Sequence, residues 1–129
     1  EPALAAQEAG ADAVSLINTL LGMAIDPETR KPRLKNIVGG LSGPAIRPVA
    51  LKMVWDAARV LRIPIIAMGG IASGLDAVQF FLAGATAVAA GCISFRTPDA
   101  AAKIVDEIVD YCDRHRVADV RELVGAMEI

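Results

Sequence analysis

Three short runs of apolar residues limit the folds open to this chain more than any other feature. They occupy positions 13–17, 63–68 and 87–90, and glycine lies close to each of them. Short runs that are apolar almost throughout are typical of strands buried on both faces of a parallel sheet. Pro64 lies at the entrance to the second run, where a strand tolerates a missing N–H group. The sequence therefore predicts an α/β fold with three parallel strands.

Helices are predicted between and after these strands. Pro48 suits a first helical position. Ser73 and Asp76 form the pattern of a capping box, and Thr-Pro-Asp at 97–99 signals the start of a longer helix. The apolar faces expected to pack on the sheet comprise Ala50, Met53, Val54, Ala57, Ala58 and Leu61 in the first helix, Ala101, Ile104, Val105, Ile108 and Cys112 in the third, and Leu123, Val124 and Met127 in a short last helix that begins at Asp119.

A six-residue pattern occurs twice in the chain. Ala-Gly-Ala-Asp-Ala-Val at 9–14 is matched by Ala-Gly-Ala-Thr-Ala-Val at 83–88, and both copies span a predicted helix-to-strand junction. Gly10 and Gly84 suit the position that follows a helix, where glycine readily takes a positive φ. The shared context favours a repeated β/α unit over a chance match in an alanine-rich chain.

The number of units indicates an incomplete architecture. A (β/α)8 TIM barrel needs about 250 residues, whereas this chain has 129 and begins within a predicted helix. We therefore expect a single partial domain over residues 1–129 that is the C-terminal half of a barrel, about strands six to eight. The alternative is a complete small open α/β domain, which would leave both edges of its sheet bare.

Composition excludes several classes of function. The formal net charge is -2 without a basic run, which argues against nucleic-acid binding. No apolar run approaches the roughly 18 residues of a membrane span, and the first residues lack the basic region of a signal peptide. Two cysteines and one histidine are too few for a disulfide framework or a zinc site. We expect a cytoplasmic protein without a metal centre.

Glycines follow two of the predicted strands at their carboxyl ends. Gly69 and Gly70 end the second run, and Gly91 and Cys92 end the third. In β/α barrels this end carries the active site, and the last two loops commonly hold a phosphate group. Glycine lets backbone N–H groups approach an anion without a Cβ in the way. We expect a phosphate site here, the alternative being two plain turns.

The first strand ends in polar residues and leads into a long connection. Asn18 and Thr19 offer an amide and a hydroxyl, which suit a planar heterocycle, although an asparagine that simply ends a strand fits equally well. The connection at 20–43 is long for a β/α loop and is expected to be a binding loop or a hinge. It ends at Gly43, a further place to present an N–H group to an anion. No residue of the chain is an obvious general base.

Three segments together resemble the dihydroorotate dehydrogenases. Positions 15–26 resemble the family's sixth-strand region, and 64–71 resemble its seventh strand and phosphate loop. Positions 39–48 are similar to a loop of the class 1B enzymes, with Arg47 where lysine is expected. The resemblance implies an FMN enzyme that oxidises dihydroorotate to orotate in pyrimidine biosynthesis.

The resemblance also implies roles for individual residues. Asn18 and Thr19 would bind the substrate. Cys92 stands where the family usually has threonine, so that its N–H group rather than a hydroxyl would serve the cofactor. The residues that would contact FMN, mostly through backbone groups, are Ile17, Gly43, Gly69, Gly70, Gly91 and Cys92.

Class 1B enzymes place their catalytic base, a cysteine, in the first half of the barrel. By this resemblance neither Cys92 nor Cys112 is the base, no catalytic residue lies in this fragment, and the fragment alone is expected to be inactive. The resemblance further implies a homodimer joined to an electron-transfer subunit that holds FAD and an iron–sulfur cluster and reduces NAD. The alternatives are a dihydropyrimidine dehydrogenase-like flavoenzyme, an aldolase-type phosphate-binding barrel, and a non-catalytic half-barrel.

Overall fold

Helices alternate with the three predicted strands along the chain, and four further short strands lie in the long connection after the first of them. The computed structural model describes residues 2–128. In chain order its elements are α1 (Pro2–Glu8), β1 (Val14–Leu16), β2 (Leu20–Met23), β3 (Ile25–Asp26), β4 (Lys31–Pro32), β5 (Val38–Leu41), α2 (Arg47–Ala58), β6 (Ile65–Met68), α3 (Gly74–Leu82), β7 (Ala87–Ala89) and α4 (Ala100–His115), with short 3-10 turns at Pro44–Ile46, Cys92–Phe95 and Val120–Leu123.

The three predicted strands form one parallel sheet in the order β1-β6-β7. Leu16 pairs with Ala67, and Ala67 pairs with Val88 on the other side. The backbone N–H of Ile17 extends the first ladder by donating to the carbonyl of Met68 at 2.9 Å. Because all three strands run in the same direction, the residues that follow them meet at the carboxyl end of the sheet.

Only one face of this sheet is covered by the described residues. Ile65 and Ala67 are buried in the core with α2 and α3, whereas Ser15, Ile66 and Ala87 lie side by side on the opposite face and are exposed. The expectation that the strands are buried on both faces is therefore wrong within residues 2–128. The α/β class is confirmed, and membership of a barrel stays a prediction.

The helices pack on the sheet through narrower stripes than the periodicity predicted. In α2, Ala50, Val54 and Ala57 are buried, but Met53, which lies at the border of this stripe, is 44% exposed. In α4 the buried positions are Ala100 and Ile104. The other apolar positions predicted to pack but found exposed are Ala101, Val105, Val124 and Met127.

The predicted start of α3 is confirmed by its hydrogen bonds. The hydroxyl oxygen of Ser73 accepts a hydrogen bond from the backbone N–H of Asp76 at 3.2 Å. This bond satisfies one of the N–H groups that a helix start leaves without a partner inside the helix.

Along residues 2–128, none of the helices has the combination of length and apolar character that crossing a bilayer would require.

The long connection after β1 forms two nested hairpins, which the sequence did not predict. We call residues 20–41 the arm. Its outer hairpin pairs β2 with β5 and its inner one pairs β3 with β4, both antiparallel. A turn begins at Asp26, where the backbone N–H of Glu28 donates to the carboxylate at 3.0 Å and holds the pKa of Asp26 below its usual value. Glycines have low strand propensity, so that Gly22 and the pair at 39–40 concealed the outer hairpin.

The repeated glycines provide a test of the two junctions. Gly10 and Gly84 have φ values of +92° and +109°, which favour glycine in both places. A Cβ at Gly84 would lie 2.5 Å from the Cβ of Ala58, whereas one at Gly10 would meet nothing within 4 Å. We predict that Gly10→Ala lowers the free energy of unfolding by about 1 kcal/mol through backbone strain alone. Gly84→Ala should cost about 1–3 kcal/mol more, because it also overpacks the α2 contact.

Urea unfolding of both variants and the parent protein measures the difference. Equal losses for the two variants would contradict the close packing of the second junction against α2.

Candidate functional site

A cavity of about 390 Å³ lies at the carboxyl end of the parallel sheet. Loops that follow β1, β6 and β7 form its walls, together with the turn that precedes α2. This is the end of a β/α sheet where ligands usually bind. The lining residues are Ile17, Thr19, Ser42, Gly43, Ile46, Met68, Gly69, Gly70, Ile71, Ala89, Gly91, Cys92 and Phe95.

Seven of the eight candidate site residues line this one cavity. The seven are Ile17, Thr19, Gly43, Gly69, Gly70, Gly91 and Cys92.

The exception is Asn18, which is exposed next to the cavity. Its side-chain oxygen accepts a hydrogen bond from the backbone N–H of Thr19 at 2.8 Å. This is the local contact expected of an asparagine that ends a strand. Within residues 2–128 the amide nitrogen of Asn18 makes no hydrogen bond, so both of its N–H donors are available for a ligand.

The two loops at the centre of the cavity touch through glycine. Gly70 has a φ of +75°, and a Cβ there would lie 2.5 Å from the carbonyl oxygen of Gly43 and 3.0 Å from the Cβ of Arg47. Gly69 is equally restricted, since its Cβ would lie 2.5 Å from that of Ala50. Any side chain at these positions would push the β6 loop away from the start of α2. Glycine is therefore required here by contact as well as by backbone angle.

Backbone N–H groups on these loops are available to bind an anion. Within residues 2–128, the N–H groups of Gly70, Gly91 and Cys92 donate to no protein acceptor. The start of α3 is different, because the carboxylate of Glu107 accepts from the N–H of Gly74 at 2.5 Å. Ser73 caps the same helix from within. An anion in this cavity would therefore be held by the loop N–H groups rather than by the N-terminus of α3.

The charged residues next to the cavity neutralise one another. Asp76 is 7% exposed and is the single buried charged side chain among residues 2–128. One of its carboxylate oxygens accepts from the Arg47 guanidinium at 2.5 Å, and the other accepts from the N–H of Ala72 at 3.0 Å. The pair ties the start of α2 to the loop that follows Gly70. Its chief effect is to hold the two loops together, because the charge of Arg47 is already matched by Asp76.

The rest of the cavity wall is mostly apolar. The thiol of Cys92 faces the turn at Gly43, and a Cβ at that glycine would lie 3.9 Å from the sulfur.

No group of three or more His, Cys, Asp or Glu side chains that could hold a metal ion exists in the part of the chain that the structure describes. Six further residues line the cavity that the sequence did not indicate, all within three positions of a predicted one: Ser42, Ile46, Met68, Ile71, Ala89 and Phe95.

The sequence of the chain matches a known family over most of its length. The family model for dihydroorotate dehydrogenase matches residues 1–111. The chain belongs to the dihydroorotate dehydrogenase family. The resemblance inferred from the strand and loop motifs is thereby confirmed.

Curated relatives in this family match the whole chain or nearly all of it. The dihydroorotate dehydrogenase B (NAD(+)) catalytic subunit of Porphyromonas gingivalis is 57% identical over all 129 residues, and that of Parabacteroides distasonis is 54% identical over the same length. The corresponding subunit of Alkaliphilus oremlandii is 56% identical over 98% of the chain. The chain spans 42% of the length of each of these relatives.

Solved structures of the family are similar in fold. Dihydroorotate dehydrogenase from Eimeria tenella, in a complex with ferulenol, superposes with a TM-score of 0.79 at 31% identity. That match covers 96% of this chain and 33% of the Eimeria chain. The ligand-free form of the Eimeria protein gives the same TM-score over 97% of this chain.

The contact between Gly70 and Gly43 can be tested without any ligand. We predict that Gly70→Ala lowers the free energy of unfolding by about 2 kcal/mol or more, because its Cβ would collide with backbone and its φ is positive. Gly91→Ala is the matched control, since its φ is −108° and its Cβ would meet nothing within 4 Å. We expect a loss of about 1 kcal/mol or less for this control.

Denaturation of both variants, followed by the fluorescence of Trp55, measures the two losses. If Gly91→Ala proved the more damaging, the loops would not be in the contact described.

Proposed function

We propose that this chain is part of an FMN-dependent dihydroorotate dehydrogenase, which oxidises dihydroorotate to orotate in pyrimidine biosynthesis. In this proposal residues 1–129 are the C-terminal half of a (β/α)8 barrel, about strands six to eight. One observation carries it: loops from the adjacent parallel strands β6 and β7 line a single cavity. Its wall includes Gly70, Gly91 and Cys92, whose N–H groups donate to no protein acceptor among residues 2–128. Membership of the family supplies the reaction.

The cavity fits FMN in its chemistry. The phosphate would be held by the N–H groups of Gly70, Gly91 and Cys92, and no positive side chain is needed because several N–H groups together stabilise an anion. Ile17, together with the backbone of Gly43 and Gly69, would contact the rest of the cofactor along the apolar wall. When bound, FMN supplies the hydride-accepting chemistry that no amino-acid side chain provides.

The substrate would meet the end of β1. The free N–H donors of Asn18 and the hydroxyl of Thr19 can hydrogen-bond the carbonyl and N–H edges of a planar pyrimidine ring. Thr19 lines the cavity and Asn18 adjoins it, so both lie at the mouth. The apolar side chains of Met68 and Ile71 would exclude water from the same space.

The proton-abstracting base is proposed to lie outside this chain. Cys112 is on α4 and does not line the cavity. Cys92 lines it, but in the class 1B enzymes that the chain resembles the base is a cysteine in the first half of the barrel. Hydride removal from dihydroorotate requires that a base take the neighbouring proton. We therefore propose that residues 1–129 alone do not turn over dihydroorotate.

The partner subunit is proposed from the curated relatives. Each of those named above is the catalytic subunit of a dihydroorotate dehydrogenase B (NAD(+)), and a catalytic subunit works together with at least one other chain. For this protein we propose a homodimer joined to an electron-transfer subunit that carries FAD and an iron–sulfur cluster and reduces NAD.

Substituting Asn18 separates the proposed substrate site from the proposed cofactor site. In the FMN-loaded holoenzyme, Asn18→Ala should weaken orotate binding by about 1–3 kcal/mol, because a polar group of the ligand loses its partner. FMN content should stay at the parental level, since the phosphate loops are separate. Absorbance titration of the flavin with orotate measures both quantities.

Asn36→Ala is the matched control, because Asn36 is exposed on the arm and does not line the cavity. If Asn18→Ala lost flavin while its flavin-containing fraction bound orotate normally, Asn18 would serve the cofactor and not the substrate, contrary to the proposal. Uracil binding in place of orotate would favour a dihydropyrimidine dehydrogenase-like enzyme, and a colourless protein would contradict the FMN assignment.

The fragment itself provides a further test. Residues 1–129 expressed alone should self-associate, because the outer edges of β1 and β7 carry unpaired backbone groups within the described sheet and its open face is apolar around Ile66. Light scattering measures the size, and dye reduction with dihydroorotate and added FMN measures turnover. A stable monomer would contradict the half-barrel proposal, and turnover would show that the base is present in these residues.

A further inference from the structure

We propose that Gly40 is a positioning residue for Thr19: the missing Cβ of Gly40 leaves the space in which Thr19 is held at the cavity mouth. The inference rests on the proposed role of Thr19 in substrate binding. It links the arm, which has no role in the function proposed above, to the site.

The register of the arm places Gly40 beside Thr19. In the outer hairpin Leu20 pairs with Leu41 and Leu21 pairs with Gly40. Extending this register by one step sets Thr19 opposite Ser42. Residues two apart on a strand face the same way, so the Cβ position of Gly40 lies on the face shared by Thr19 and Ser42. Both of those residues line the cavity.

The distances show how little space remains. A Cβ at Gly40 would lie 2.6 Å from the Oγ1 of Thr19, 2.9 Å from its Cβ and 3.3 Å from its Cγ2. Rotation about χ1 can move the hydroxyl and the methyl group, but it leaves the Cβ where it is. A side chain at Gly40 therefore requires the backbone at Thr19 or in β5 to shift.

Pairing with β6 holds the end of β1 in place, so the shift falls on Thr19. The N–H of Ile17 donates to the carbonyl of Met68, which fixes the end of β1 in the parallel sheet. Thr19 lies between this fixed point and the arm, so a displacement of the arm is taken up at Thr19. Gly40 thus acts on the proposed substrate site through Thr19 and touches no ligand itself.

Gly22 provides a matched control within the same hairpin. A Cβ at Gly22 would lie 3.5 Å from the Cβ of Leu41, which is ordinary van der Waals contact. Gly22 pairs with Gly39, one step along the ladder from Gly40, and so faces the opposite side of the hairpin. Gly22→Ala therefore changes strand propensity and chain entropy as Gly40→Ala does, without disturbing Thr19.

The test compares both variants with the parent as FMN-loaded holoenzymes. Gly40→Ala should raise the Kd for orotate and lower kcat/KM for dihydroorotate by about 10–100-fold, the size of effect expected when a binding group is displaced by about an ångström. Its FMN content should match that of Gly22→Ala, and Gly22→Ala should stay within about twofold of the parent. A Gly40→Ala variant that binds orotate as Gly22→Ala does, or that loses FMN together with orotate, would overturn the proposal.

A second measurement keeps this inference apart from the proposed function. The methyl resonance of Thr19, identified with Thr19→Ser, should shift in Gly40→Ala and stay in place in Gly22→Ala, whether or not orotate is added. If the parent binds no orotate, the proposed function fails and this resonance alone decides the role of Gly40. An unmoved resonance would overturn that role.

Should Gly40→Ala fail to fold, Thr19→Gly provides the complementary variant. It removes all three side-chain atoms that the new Cβ would meet. Adding Gly40→Ala to Thr19→Gly should then cost no more stability than adding Gly22→Ala to it. If Gly40→Ala lowered the free energy of unfolding as much in the Thr19→Gly variant as it does in the parent protein, the proposal would be overturned.

Discussion

The close approach of the β6 loop to the turn before α2 is the contact on which the cavity depends. Gly70 lies against the carbonyl of Gly43 at a distance that leaves no room for a side chain. The Arg47–Asp76 ion pair also joins these two segments, and the second carboxylate oxygen of Asp76 accepts a hydrogen bond from the backbone N–H of Ala72. Because these two loops are fixed to each other, the N–H group of Gly70 keeps its direction without a ligand, which reduces the cost of ordering it when an anion binds.

Much of the fold follows from residue patterns that act over short distances. The apolar runs specify the three strands, and Ser73 specifies the start of α3 through a single hydrogen bond. Gly10 and Gly84 mark the two helix-to-strand junctions by their positive φ values. Such features need only local chemistry, so one sequence is sufficient to find them.

Other features depend on contacts between distant residues and were missed or misplaced. The hairpins of the arm were not predicted, because their register depends on pairing across glycines that have little strand propensity of their own. Met53 was placed in the core by its spacing, yet it lies at the border of the buried stripe of α2 and is exposed. At the site, glycines identified the loops, but lining side chains such as Phe95 depend on how the 3-10 turn after β7 folds back. The side-chain contact of Asn18 also needed coordinates, since sequence left two interpretations open.

The exposed face of the parallel sheet carries side chains of unequal size. One row across the three strands consists of Ser15, Ile66 and Ala87, so that a single branched side chain projects between two small ones. A layer that covers this face at the density of a protein interior must place a hollow over Ile66 and bulky groups over Ser15 and Ala87. The row therefore favours a covering segment of complementary shape, and enlarging Ser15 or Ala87 would spoil that fit on the uncovered face.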